Sequence, residues 1–232
     1  MQSHEQDLPN FGLEPMTDGL VNTEDAIIRE EMEYDVNELN ANVEKIVPTF
    51  NAAQQQIYLS VMDAVRKNES LQLFISARGG CGKTYLLNGI LDAVRSFEQG
   101  GCIALAMATT GIAAQLLHLV RTYHSRMKAP LHPTEESTLN ITNQSQLAQL
   151  VCHAHLLLID EVTMLHRFQL EALDRTLQDL MDKPNDPFGG KIIILAGDFR
   201  QCLPVVPGSN RAQIVKICIN SSPLWPHFQV FF

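Results

Sequence analysis

The strongest constraint on this chain lies at residues 71–91, LQLFISARGGCGKTYLLNGIL. Leu71, Leu73, Phe74 and Ile75, closed by Ala77, form a short apolar run of the kind that becomes a buried parallel strand. After the turn ARGGCGKT, Tyr85, Leu86, Leu87, Ile90, Leu91 and Val94 recur at helical spacing. Strand, glycine-rich turn and helix make the context a phosphate-binding loop needs. Gly79, Gly80 and Gly82 let backbone N–H groups converge on phosphate oxygens, and the new helix points its unpaired N–H groups and positive dipole end at the same anion. Lys83 would reach the β- and γ-phosphates, and the Thr84 hydroxyl would hold Mg²⁺. Ala77 stands where the G-x-x-x-x-G-K-[ST] pattern opens on glycine. Alanine penalises positive φ, so the loop is expected either to carry slight strain there or to need only an ordinary dihedral.

Three further strands end in polar clusters. CIALAMA runs into Thr109, Thr110 and Gly111, which can offer hydroxyl and N–H donors to a phosphate. HLLLIDEV places Asp160 and Glu161 at the end of a buried strand, where carboxylates are costly unless they serve a cation or a reaction. Beside a phosphate loop, Asp160 would hold the Mg²⁺ shell and Glu161 would polarise the attacking water. KIIILAGD continues into Arg200 and Gln201; Gln201 can report on a γ-phosphate, and Arg200 can contact nucleotide or nucleic acid. Clusters after successive apolar strands predict an α/β fold, a mostly parallel sheet sandwiched by helices, with its ligands at the carboxyl edge.

Other segments fill in this frame. Residues 50–67 read as a helix with Ile57, Val61, Ala64 and Val65 on one face and Asn51 as its N-cap. Gln54 in its first turns carries an amide able to pair with both edges of adenine, although a surface glutamine reads the same way. RTYHSRMK sets Arg121, Arg126 and Lys128 around Tyr123 and His124, which suits a single-stranded nucleic-acid track or a solvated basic turn. Residues 130–144 read as a loop, 145–152 as a short helix and 164–181 as a core helix. Cys152, His153 and His155 have no second ligand cluster at zinc-like spacing.

The formal charge of −9 is unevenly spread: residues 1–50 hold twelve Asp/Glu against Arg29 and Lys45, leaving 14 acidic and 15 basic residues beyond them. Residues 1–47 therefore read as an acidic, largely irregular linker with one helix around Glu24 to Leu39, ahead of a domain at 48–232. No run approaches the ~18 apolar residues of a membrane span. Five scattered cysteines without a C-x-x-C pair fit a reducing compartment.

Taken together, ARGGCGKT, TTGIAAQLL with RTYHSRMK, LLLIDEV, and LAGDFRQCLPVVPG with INSSPLW resemble, in this order, the first motor domain of the PIF (petite integration frequency) DNA helicases, the eukaryotic and Helitron-like branch above all. FNAAQ at 50–54 is similar to that family's adenine-reading segment and points again to Gln54. The resemblance implies a RecA-like P-loop NTPase fold and ATP-driven 5′-to-3′ unwinding of DNA. It implies that Lys83 and Thr84 bind phosphate and Mg²⁺, that Asp160 and Glu161 bind metal and activate water, and that Gln201 senses the γ-phosphate. Thr109, Thr110, His124 and Ser125, with Arg121 and Arg126, would grip single-stranded DNA. His118-Leu119-Val120 departs from the glycine-containing turn usual before RTYHS. The resemblance also implies a second RecA-like domain, in cis or in trans, whose arginines complete the ATP site. The chain is accordingly expected to be a fragment or truncated gene product, a weak ATPase alone or a non-catalytic module binding ATP and single-stranded DNA. A nuclear setting and roles in repair, recombination and telomere maintenance follow only by analogy.

Overall fold

The computed structural model describes residues 24–97, 102–111, 113, 117, 121–205, 208 and 210–231. Helix α1 spans Glu24–Met32, α2 Val36–Ile46 and α3 Ala52–Lys67; strand β1 (Leu71–Ser76) follows, then α4 (Lys83–Arg95) and β2 (Ala104–Ala108). The two-residue β3 (Arg121–Thr122) runs directly into the single turn α5 (Tyr123–Arg126). Next come α6 (Gln146–His153), β4 (Leu156–Asp160), α7 (Arg167–Leu180), β5 (Ile192–Gly197), α8 (Arg211–Ile217) and β6 (Gln229–Phe231).

The six strands form one sheet in the order β3-β2-β4-β5-β1-β6, with every pairing parallel. Parallel pairing follows from the strands themselves. β2, β4 and β5 are buried along their whole length and carry apolar side chains on both faces, which only a two-sided cover of helices can satisfy. Leu73 and Ile75 of β1 face a core shared with Val61 and Val65 of α3 and Leu87, Ile90 and Val94 of α4. Phe74, between them, faces the opposite core with Leu173 and Leu177 of α7 and Leu150 of α6. Gly89 lets α4 sit close to the segment before it: a Cβ there would stand 2.7 Å from Phe50 Cζ and 3.2 Å from Ile46 Cγ2.

Register decides the site. Ile75 and Ile159 flank β5, paired with Ala196 and Leu195 respectively, so β1 and β4 reach the carboxyl edge at nearly the same height with β5 between them. Ala196 and Gly197 keep the intervening strand end small; a Cβ on Gly197 would lie 2.9 Å from Thr163 Cγ2.

The acidic segment differs from its expectation. Where one helix within an irregular linker was expected, residues 24–46 form two helices separated by a break at Asp35, whose carboxylate caps α2 by accepting from Asn37 N and Glu38 N. Their apolar residues explain the docking that net charge concealed. Ile27, Ile28 and Met32 pack on one core, and Val43 and Ile46 on the other. The remainder of the acidic extension, residues 1–23, lies outside the described residues. So does His118-Leu119-Val120. The core helix expected at 164–181 begins later, at Arg167, because Val162–Met164 close a 3-10 turn first.

Candidate nucleotide and nucleic-acid site

The turn after β1 bends back on itself before α4 begins. Gly80 and Gly82 have φ of 82° and 77°, in the left-handed region that costs an L-residue about 1–2 kcal/mol. Gly82 is the N-cap of α4, so Lys83 and Thr84 open the helix beside its unpaired N–H groups. Ala77 is not among the residues with positive φ, and its N–H donates to Gly197 O. The alanine thus costs nothing there, because the position needs only an ordinary dihedral.

Lys83 reaches across the end of β5. Its ammonium donates to Asp160 Oδ1 at 2.7 Å and to Glu161 Oε1 at 2.6 Å, bringing together groups 78 residues apart in sequence. Burial alone would lower the Lys83 pKa, yet the two carboxylates outweigh it and hold it above the usual lysine value. Burial raises the Asp160 carboxyl, with Lys83 partly offsetting it. Glu161 adopts φ 53°, ψ 32°, a left-handed backbone that is uncommon for glutamate and is often found at functional sites.

Two adjoining cavities meet at this loop. One, of about 420 Å³, is lined by Gly79, Gly80, Lys83, Thr84, Glu161 and Gln201. The other, of about 320 Å³, is lined by Asn51, Gln54, Cys81, Asp198, Arg200 and Phe231, and Arg78 borders both. The first therefore gathers the loop glycines with Lys83, Thr84, Glu161 and Gln201, and the second holds Gln54, the residue read as a base contact. Gln54 Oε1 accepts from Asn51 N while Asn51 Oδ1 accepts from Gln54 N, both at 3.0 Å, a capping box that fixes the amide. Its Nε2 lies 3.0 Å from where a Cβ on Gly82 would stand. Gln201 Nε2 is likewise 3.4 Å from a Cβ position on Gly79. The turn carrying Gln201 is held by Asp198, whose carboxylate accepts from Arg200 N, and by Phe199, which packs on Phe74 and Trp225. Sequence reasoning missed Arg78 and Phe231. Arg78 adjoins the loop glycines, which was a usable signal; nothing local pointed to Phe231.

Among the described residues no group of three or more His, Cys, Asp or Glu could hold a metal ion by itself. The donor set of Thr84 hydroxyl and Asp160 carboxylate instead fits Mg²⁺, which takes one or two protein oxygens and fills its shell with phosphate and water.

The proposed nucleic-acid residues gather at the other corner of the same edge. Met107 and Ala108 of β2 pair with Arg121 and Thr122 of β3, so the segment after β2, with Thr109 and Thr110, and α5, with His124 and Ser125, both begin at the ends of paired strands. Ser125 is exposed. His124 Nε2 lies 3.3 Å from the Gln169 amide, and burial lowers its pKa. The Tyr123 hydroxyl donates to Gln169 O inside the core. Arg126, expected on the same track, is 7% exposed and ion-paired with Glu31 of α1. Arg121 is exposed and pairs with Glu30 at 3.0 Å.

Comparison with known proteins places this geometry. Residues 49–232 match the PIF1-like helicase family. ATP-dependent DNA helicase Pif1 from Psychrobacter sp. (strain PRwf-1) is 33% identical over 136 residues, which cover 57% of this chain and 20% of that protein. ATP-dependent DNA helicase PIF1 from Homo sapiens is 31% identical over 167 residues, covering 70% of this chain and 24% of that protein. A Bacteroides Pif1 helicase solved with ADP-AlF3 and ssDNA superposes with a TM-score of 0.62 at 25% identity, over 78% of this chain and 41% of that one. The chain thus spans a quarter or less of the length of these two sequence relatives.

Proposed function

The chain belongs to the PIF1-like helicase family, and on that footing we propose that residues 48–232 are the first RecA-like motor domain of an ATP-dependent DNA helicase. The proposed motor unwinds from 5′ to 3′, with ATP and single-stranded DNA as its ligands and a nuclear setting. Among the described residues no helix is long and apolar enough to cross a membrane. The observation that carries the reading is the Lys83 ammonium held between Asp160 and Glu161 at the mouth of a loop with two left-handed glycines.

In this reading Gly79, Gly80, Gly82 and the first turn of α4 cradle the phosphates, and Lys83 exchanges its carboxylate partners for β- and γ-phosphate oxygens. Thr84 and Asp160 would hold Mg²⁺, which would supply neutralisation of the phosphate charge. Glu161 is then released to orient the attacking water and take its proton. Gln201, beside Gly79, hydrogen-bonds the γ-phosphate, and Gln54 reads the base from the neighbouring cavity. Thr110, Arg121, His124 and Ser125 line the strand track. A second RecA-like domain supplies the arginine that completes turnover, a contribution of about 10³ to 10⁵ in kcat in related chemistry.

The test is ATP turnover by the purified chain with and without single-stranded DNA, beside Glu161→Gln, and ADP binding beside Lys83→Ala. DNA-stimulated turnover lost in Glu161→Gln supports the complete reading. Nucleotide binding without turnover assigns the chain half a motor that binds its ligands. Undiminished ADP affinity in Lys83→Ala refutes the site.

A further inference from the structure

The sequence offers Thr109 as a DNA contact, but its N–H and hydroxyl are turned toward the backbone carbonyls of Asp160 and Glu161. Thr109 directly follows Ala108, the last residue of β2, which pairs with Asp160. Its N–H donates to Asp160 O at 3.2 Å, and its hydroxyl donates to Glu161 O at 2.9 Å. The Asp160 carboxylate in turn accepts from Glu161 N at 2.8 Å. The peptide groups on either side of Glu161 are thereby tied down while its backbone sits in the left-handed region. Such a conformation persists only where its surroundings over-determine it. Glu161 O also accepts from Met164 N at 3.2 Å, and among these bonds the Thr109 hydroxyl is the one made by a side chain outside the Asp160–Glu161 pair.

Resting on the function proposed above, we propose that Thr109 is a positioning residue for Glu161, holding the water-activating carboxylate in register from the corner of the sheet that faces DNA. A hydroxyl has one proton to donate. That proton goes to the Glu161 carbonyl, so the hydroxyl donates no hydrogen bond to a DNA phosphate. Thr110 is distinct, since its hydroxyl accepts from Ala113 N and caps the segment that follows. The link is short: Arg121 pairs with Met107, two residues before Thr109, and Thr109 bonds to Glu161. A strand gripped at β3 therefore bears on the lytic carboxylate through one stretch of β2 and one hydrogen bond.

Losing that bond leaves the Glu161 carbonyl with its longer bond from Met164 N, which loosens the left-handed peptide, and a misplacement of about 1 Å can cost about 10²-fold in rate. Thr109→Val is expected to lower kcat by about 10- to 100-fold, with KM for ATP and affinity for single-stranded DNA within about threefold. Thr109→Ser, which keeps the hydroxyl, should restore most of the loss. Thr109→Ala removes the hydroxyl again should the valine variant not fold. The same variants are titrated by calorimetry with ADP and with ADP plus aluminium fluoride, a mimic of the transferring phosphoryl group. The expected result is ordinary ADP affinity, with binding of the mimic weakened about tenfold or more in the valine or alanine variant and recovered in the serine variant. Unchanged mimic binding and unchanged turnover overturn the inference alone, as does lost DNA affinity with turnover retained. A chain that binds ADP without turning over ATP is judged by the mimic titration. An unsubstituted chain that binds neither ADP nor the mimic overturns the site reading and this inference with it.

Discussion

Glu31→Gln removes one partner of the buried pair between α1 and α5. The Glu31 and Arg126 side chains are 12% and 7% exposed, and Arg126 Nε already has no hydrogen-bond partner. Neutralising Glu31 leaves the guanidinium buried without its counter-charge, a change that costs about 3–5 kcal/mol in comparable sites. The slight exposure of Glu31 places the expectation at the lower end, about 3 kcal/mol, or about 10²-fold in the folding equilibrium. For a domain of this size that corresponds to a fall in Tm of about 6–12 °C. Glu30→Gln is the internal contrast. Its pair with Arg121 has side chains 62% and 55% exposed, so removing it should change stability by less than about 1 kcal/mol. Urea titrations of both variants, followed by far-UV circular dichroism, give the two values directly. Because two-state unfolding is assumed, calorimetric and van't Hoff enthalpies should agree. Replacing both partners, Glu31→Leu with Arg126→Met, should recover most of the loss, since a well-packed apolar pair is often as stable as a buried ion pair. A Glu31→Gln variant as stable as Glu30→Gln would refute the docking of α1 and with it the account of why Arg126 is buried.

Three further outcomes follow from the loop and the opposite edge of the sheet. Gly80→Ala meets nothing within 4 Å and should cost only left-handed strain, about 1–2 kcal/mol, whereas Gly82→Ala also crowds Gln54 Nε2 and should weaken ADP binding more; equal losses by calorimetry would contradict this. Ala77→Gly should leave ADP affinity within about twofold and lower stability by up to about 1 kcal/mol, because the position has no positive φ for glycine to relieve; a tenfold gain in affinity would show otherwise. Lys191, buried with its ammonium donating to Cys152 O and Ala154 O, has its pKa pushed down to about 8 by burial, from 10.5. A base whose folded pKa is depressed binds fewer protons folded than unfolded between those two values. Stability contributed through Lys191 therefore rises with pH from about 8 to 10.5, and the urea midpoint of the protein relative to Lys191→Met should climb across that window; a flat difference would refute the assignment.

What the sequence determined by itself is what local chemistry determines. The apolar run at 71–75, the glycines at 79, 80 and 82 and the periodic residues from Tyr85 specify strand, turn and helix without reference to anything distant, and the structure builds that unit with β1 and α4. The same holds for Asp160 with Glu161 and for Asp198 to Gln201, since polar residues after buried strands can only emerge at the carboxyl edge of a parallel sheet. Tertiary structure alone decided which of these edges meet. Strand order sets β5 between β1 and β4, and its small terminal residues leave the gap that Lys83 spans. It also decided the fate of the charges. Arg126 has the sequence surroundings of a basic track, but α1 covers it, because the few apolar residues of α1 find a place on the core that an acidic composition gave no reason to expect. Thr109 has the residue type of a phosphate donor, and only the register of β2 against β4 turns its hydroxyl toward Glu161. Propensity and periodicity act over a few residues, whereas the partner of a charge or a hydroxyl is chosen by packing between elements far apart in the chain.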